Sequence, residues 1–247
     1  MLAVIGGSSL SQLAGLDVSH REVLRTPYGE PSGAITFGQM FGRPMAFLGR
    51  NGYGHTILPH EVNYRANLWA LHERGALGII SVASVGSIRA DLKPGDVVIP
   101  HQIIDYTWGR KSTYFEGQDR GVTHVDFTEP YDANLRKQLI EAAREVGVPM
   151  SDSAVYAVTQ GPRLETAAEI DRLERDGADV VGMTAMPEAA LARELGIPYA
   201  SIGVVANHAA GRGASRHSIS FESIQAVLER SMGGVRNIIE KMVERGG

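Results

Sequence analysis

The chain of 247 residues sets 24 Lys and Arg against 28 Asp and Glu, a formal net charge of −4, and so lacks the chain-wide basic field that holds nucleic acid or an anionic membrane. It has no cysteine, which excludes disulfides, thiolate metal sites and cysteine nucleophiles. At 43% hydrophobic and 21% charged, residues 1–247 are expected to form one domain with a sizeable core, and without a signal-like leader or an apolar run near the ~20 residues of a membrane helix a cytoplasmic location is expected.

Leu2-Ala-Val-Ile reads as a short buried strand running into Gly6-Gly-Ser-Ser, a turn rich in backbone donors and hydroxyls. Ala34 to Gln39 and Pro44 to Leu48 predict a hairpin, followed by a helix from about Glu61 to Arg74. Gly78 to Val85 is a continuous apolar run, the pattern of a strand buried on both faces, with Gly86 ending it. Pro94 to Pro100 gives a short strand, and Ala133 to Val146 an amphipathic helix with Leu135, Leu139 and Ala142 on one face. From Ala154 the pattern alternates: strand to Thr159, helix Thr166 to Arg175, strand Asp179 to Met183, helix Pro187 to Leu195, strand Pro198 to Ala206. Pro187 and Glu188 suit a helix start through fixed φ and the helix dipole. A long helix from Phe221 to Arg245, with a kink expected at Gly233-Gly234, closes the chain. Strands alternating with helices predict an α/β fold on a parallel or mixed sheet.

Ligands in such sheets bind at loops leaving the carboxyl ends of strands. Gly6 to Ser9, Ser84 to Ser87, Met183 to Met186 and Asn207 to Gly211 qualify, all rich in small and hydroxyl residues and poor in carboxylates. That chemistry suits a neutral or anionic ligand rather than a hydrated divalent cation, so no metal is expected. Arg50, Asn51 and His55 surround three glycines that let the backbone approach an anion. Each segment taken alone is equally compatible with ordinary turn chemistry.

In order, Ile5-Gly-Gly-Ser-Ser-Leu, Arg50-Asn-Gly-Tyr-Gly-His-Thr-Ile-Leu-Pro, Val62-Asn-Tyr-Arg-Ala-Asn-Leu-Trp, Ser84-Val-Gly-Ser-Ile-Arg, Lys93-Pro-Gly-Asp-Val-Val-Ile-Pro, Gly161-Pro-Arg-Leu-Glu-Thr, Gly177-Ala-Asp-Val-Val-Gly-Met-Thr and Pro187-Glu resemble the purine nucleoside phosphorylase and methylthioadenosine phosphorylase family over nearly the whole chain. The resemblance implies a mixed, partly barrel-like sheet ringed by helices, a homotrimer with sites near subunit interfaces, and phosphorolysis of a nucleoside without metal or organic cofactor, inorganic phosphate being a co-substrate. It implies that Ser8, Arg50 and Thr184 hold phosphate, Arg50 through its guanidinium fork, and that Met183 lies under the ribose. Asn51 stands where methylthioadenosine phosphorylases carry histidine and Ala83 where they carry threonine, so phosphate is expected to lean on Asn51 and on the Ala83-Ser84 backbone.

In family members that act on 6-aminopurines, the positions of Asn207 and Ala209 are aspartates. An amide at Asn207 can donate to N7 or O6 of a 6-oxopurine leaving group, making it the expected catalytic residue, and Ala209 places no carboxylate against O6. Glu165 matches a glutamate that accepts the N1 proton of 6-oxopurines, although it can equally cap the helix that follows. Phe221 aligns with a histidine that binds the 5′-hydroxyl of ordinary nucleosides; an aromatic there favours a thioether, although Phe221 can also be a core residue. His124 falls in a segment that family members reach across to a neighbouring subunit. Together these imply a 5′-methylthio 6-oxopurine nucleoside as substrate. Methylthioadenosine or inosine and guanosine as substrates, and a non-catalytic nucleoside-binding protein, are the alternatives. A dinucleotide-binding dehydrogenase fits poorly, because Gly6-Gly-Ser-Ser lacks the third glycine of that fingerprint.

Overall fold

The computed structural model describes residues 1–7, 10, 13–117 and 121–246. Among them eleven strands join one mixed sheet. Its centre is three parallel strands, β1 (Leu2–Gly6), β5 (Gly78–Ser87) and β11 (Tyr199–His208), with β5 between the other two. Their continuous apolar sequences follow from burial on both faces: Ala3, Ile5 and Ile79 face one core cluster and Val4, Ile80 and Val82 the other.

Beside β1 lies the predicted hairpin, β3 (Ile35–Met40) and β4 (Arg43–Gly49), with β2 (Asp17–Glu22) antiparallel on its outside. Beyond the far end of β5 come β10 (Val180–Gly182), β9 (Val155–Val158) and β7 (Gln102–Asp105), while β6 (Val97–Val98) and β8 (Met150–Ser151) extend from β11. β5 therefore carries three partners, β1, β10 and β11, and the sheet branches there.

Helices α2 (Ala133–Glu145) and α5 (Phe221–Arg245) pack on one face through Leu135, Leu139, Leu228 and Val235. On the other lie α1 (Tyr64–Glu73) and α4 (Glu188–Glu194). α1 starts three residues later than the apolar pattern predicts, because the Asn63 side chain accepts from the Ala66 N–H and sets the cap there. α5 is one continuous helix through Gly233-Gly234. A Cβ at Gly234 would press on Val148 at 3.3 Å, so this glycine serves close packing.

α3 (Ala167–Arg175) begins with a capping box: Thr166 accepts from the Glu169 N–H at 3.1 Å, and Glu169 accepts from the Thr166 N–H at 2.7 Å. Hydrogen bonds from Arg163 and from the Thr166 backbone hold the Glu169 carboxyl down at about 2. A lowered folded-state pKa stabilises above the usual carboxylate range, and the contribution is lost as pH falls from there towards 2. Thr166→Ala removes the hydroxyl acceptor but keeps the backbone N–H, and is expected to cost about 1 kcal/mol, measured by urea unfolding at pH 7.

Candidate active site

β1 pairs with β5 only as far as Ile5 opposite Ser81, and β10 takes up the same edge only at Gly86. β11 covers the other edge throughout. Residues 82–85 of β5 are thus left without a strand partner on one edge, and a cavity of about 390 Å³ opens over the gap. The gap needs donors and acceptors of its own, since buried backbone groups are rarely left unpaired.

Arg50, which follows β4, fills part of it. Its Nη1 donates to the Val82 carbonyl at 3.0 Å and its Nη2 to Ser81 Oγ at 2.7 Å. Its Nε and Nη2 grip the two oxygens of Glu188 at 2.7 and 2.8 Å, and both residues are wholly buried. Burial works against the charged guanidinium, but the Glu188 carboxylate and its hydrogen bond outweigh it and raise the Arg50 pKa. Tyr199 donates to the same carboxylate at 2.8 Å. The fork expected to grip an anion therefore grips Glu188, and four of five guanidinium hydrogens have partners among the described residues. The fifth is on Nη1, which lies against Gly7: a Cβ there would sit 2.9 Å from Nη1 and 2.8 Å from the Val82 oxygen. Only glycine leaves room beside that nitrogen. Sequence pattern assigns Glu188 only a helix-dipole role; its pairing, 138 residues away in the chain, is what the structure adds.

Strand alternation turns the backbone of Ser84, like that of Val82, towards the gap and that of Ala83 towards β11. The backbone donor expected from Ala83-Ser84 is thus the Ser84 N–H, with its hydroxyl alongside. Ser84 to Ser87 is not a loop, because β5 continues through Gly86 to Ser87. From the antiparallel β10 the chain runs back along the gap, bringing Met183 and Thr184 into the cavity wall. Ser8, expected nearby, lies outside the described residues. Asn51 lines the cavity too, but its Nδ2 donates to the Ile57 carbonyl at 2.8 Å, so the side chain also closes the 51–57 loop. His55 lines the same wall at a φ of 57°. Burial, then the Arg50 charge, lower its pKa and favour the neutral imidazole.

Asn207 is likewise on a strand rather than in a loop. Val205 lies opposite Val85 and Asn207 opposite Gly86, so Ala206 is an extra residue, a β-bulge. Such a bulge re-aims the side chains beside it, and Ala206, Asn207 and Ala209 all line the cavity. Asn207 Nδ2 donates to the His208 carbonyl at 2.7 Å, and among the described residues one amide hydrogen and Oδ1 are left for a ligand. Glu165 reaches the same cavity. Thr159 Oγ1 donates to its Oε1 at 2.6 Å, and Oε2 has no hydrogen-bond partner among the described residues. The helix-capping role is filled by Thr166 with Glu169 instead. Glu165 is the only carboxylate among the described lining residues, and among the described residues no three His, Asp or Glu side chains cluster as a metal site would require.

The remaining wall is apolar: Ile57, Leu58 and Pro59 with Ile219, Phe221 and Ile224. Buried residues of α5 begin only at Val227, so its first turn projects past the core. Phe221 is 71% exposed and is a cavity residue, not a core one. His124 is exposed and does not line the cavity.

Comparison with known proteins agrees along nearly the entire length. The model of the Phosphorylase superfamily matches residues 2–244. A probable S-methyl-5′-thioinosine phosphorylase of Pseudomonas syringae pv. tomato is 48% identical over 98% of this chain and 97% of its own. The 6-oxopurine nucleoside phosphorylase of Pyrococcus furiosus is 46% identical over 92% of this chain and 88% of its own. Among solved structures, methylthioadenosine phosphorylase from Schistosoma mansoni in complex with adenine superposes with a TM-score of 0.94 at 31% identity, covering 98% of this chain and 90% of that one.

Proposed function

Because the chain belongs to the Phosphorylase superfamily, we propose that it uses inorganic phosphate to cleave S-methyl-5′-thioinosine into hypoxanthine and 5-methylthioribose 1-phosphate. The observation that carries this is the make-up of the cavity: a glutamate with one open oxygen and an amide at one side, and an apolar wall ending in Phe221 at another. Glu165 Oε2 accepts the N1–H that hypoxanthine has and adenine lacks. Asn207 donates to N7 or O6, and Ala209 leaves O6 unopposed. Met183 packs under the ribose, and Phe221 receives the methylthio group without offering the hydrogen-bond partner that a 5′-hydroxyl needs.

Phosphate sits over the unpaired edge of β5, where Ser84, Thr184, Asn51 and the Nη1 hydrogen of Arg50 that has no partner among the described residues receive it, and the family resemblance gives Ser8 the same role. A phosphate oxygen forms its bond to C1′ as the C1′–N9 bond breaks, and that electron pair passes into the purine. A proton arriving at N7 completes hypoxanthine. Orientation of the anion beneath the sugar and stabilisation of the charged leaving base supply the rate. Neither a metal nor an organic cofactor takes part. Cytoplasmic location and a homotrimer belong to the same proposal, and exposed Tyr53, Trp108 and Val122 offer apolar surface to neighbouring copies.

The test is turnover of S-methyl-5′-thioinosine, methylthioadenosine and inosine in phosphate buffer containing EDTA. The first is expected to be the best substrate, with no turnover once phosphate is omitted. Release of free methylthioribose without phosphate would show a hydrolase, and a preference for methylthioadenosine would reject the roles given to Glu165 and Asn207.

A further inference from the structure

Arg110, in the irregular stretch between β7 and α2, lies outside the cavity lining yet holds two of its walls. Its five guanidinium hydrogens meet six neutral acceptors. Nη1 donates to the carbonyls of Met183 at 2.8 Å and Met186 at 2.6 Å. Nη2 donates to the carbonyls of Thr159 at 3.2 Å and Gln160 at 2.9 Å, and Nε to Gln160 Oε1 at 3.2 Å. Nη1 also donates to Tyr64 Oη at 3.4 Å, and the guanidinium carbon lies 5.7 Å from the centroid of that ring. Among the described residues no carboxylate pairs with it, and burial pushes its pKa down.

Apart from Tyr64, the acceptors belong to the two segments that leave the carboxyl ends of the parallel neighbours β9 and β10. One carries Glu165, held by the hydroxyl of Thr159, whose own carbonyl Arg110 takes. The other carries Met183 and Thr184. The segments also touch directly: Gly161 has a φ of 64°, and a Cβ on it would sit 2.4 Å from Met183 Sδ. A planar fork with fixed donor directions sets a spacing between two backbones in a way that a flexible ammonium cannot.

We propose that Arg110 is a positioning residue for phosphorolysis: by tying the Thr159–Gln160 backbone to the Met183–Met186 backbone it fixes the Glu165 carboxylate relative to Met183 and Thr184. The inference rests on the substrate roles assigned above. A base misplaced by about 1 Å against the attacking phosphate can lose on the order of a hundredfold in rate.

A double-mutant cycle separates positioning from mere support. Arg110→Ala is expected to lower kcat for S-methyl-5′-thioinosine by about a hundredfold, with the KM for phosphate changing by less than about threefold. In a Glu165→Gln background, where the carboxylate to be positioned is already gone, the same substitution is expected to lower kcat by less than about fivefold. Arg110→Lys keeps the charge without the fork, and is expected to lose about tenfold in the parent and little in the Glu165→Gln background. This second variant carries the cycle if Arg110→Ala fails to fold, as judged by circular dichroism and melting. Equal losses in the two backgrounds would overturn the proposal, because a structural brace weakens every variant alike. If wild type instead prefers methylthioadenosine, the substrate assignment fails. The cycle on that nucleoside then still decides whether Arg110 acts through Glu165, and a Glu165→Gln variant as active as wild type on every nucleoside would overturn both.

Discussion

Glu188→Gln is expected to lower the unfolding midpoint by roughly 6–20 °C, because removing one partner of a buried ion pair costs about 3–5 kcal/mol and each kcal/mol is worth about 2–4 °C in a chain of this size. Arg50 would keep a charge with no counter-charge among fully buried neighbours, and the new amide would present hydrogens to a guanidinium that is itself only a donor. Arg50→Ala should cost a similar amount for the opposite reason, leaving Glu188 buried with only Tyr199 donating to it among the described residues. Phosphate distinguishes the two. With the proposed anion seat against Arg50 Nη1, bound phosphate supplies the missing negative charge in Glu188→Gln, so phosphate should raise that variant's midpoint more than the parent's. In Arg50→Ala the seat is damaged, and the phosphate-dependent rise, worth about 2.7 kcal/mol for a ligand at a hundred times its Kd, should nearly vanish. Thermal melts of the three proteins across a phosphate series make the comparison. Equal phosphate shifts in all three would place the anion elsewhere.

Sequence patterns expose what is buried on both faces and conceal what lies at edges. β1, β5 and β11 stand out as apolar runs because both of their faces are covered. β2 and β7, the two ends of the main strand path, do not: Asp17 to Glu22 is almost wholly exposed, and Gln102 to Asp105 is at best half-buried. Without alternating apolar residues neither had a signal to give. Gly86 and Asn207 read as breakers, yet both remain in strands, since the partner strand and the bulge at Ala206 override local preference. The cavity residues themselves were legible because they cluster in short small-residue segments. Their connections were not. The pairing of Arg50 with Glu188 joins residues on opposite sides of the chain's middle, and Arg110 lies in a stretch with no periodicity at all.

Substrate choice should split into two independent axes. Asn207→Asp is expected to depress turnover of 6-oxopurine nucleosides and raise relative turnover of methylthioadenosine, because a carboxylate repels O6 but accepts from a 6-amino group. The bulge that turns position 207 into the cavity is set by the backbone pairing of β11 with β5, so the aspartate should occupy the same place. Full conversion is not expected while Ala209 and Glu165 stay, since Glu165 Oε2 would still face an N1 without a proton. Phe221→His acts on the far wall. That position is 71% exposed on the first, projecting turn of α5, so the exchange disturbs little packing and offers the 5′-hydroxyl a partner. Inosine turnover relative to S-methyl-5′-thioinosine should rise by roughly tenfold to a hundredfold, with base preference unchanged. The measurement is kcat/KM for methylthioinosine, methylthioadenosine and inosine in wild type, both single variants and the double variant. With the two positions at opposite ends of the nucleoside, as proposed, their effects in the double variant should multiply to within about twofold. A Phe221→His variant that altered base preference and left the 5′ preference untouched would remove Phe221 from the 5′ pocket.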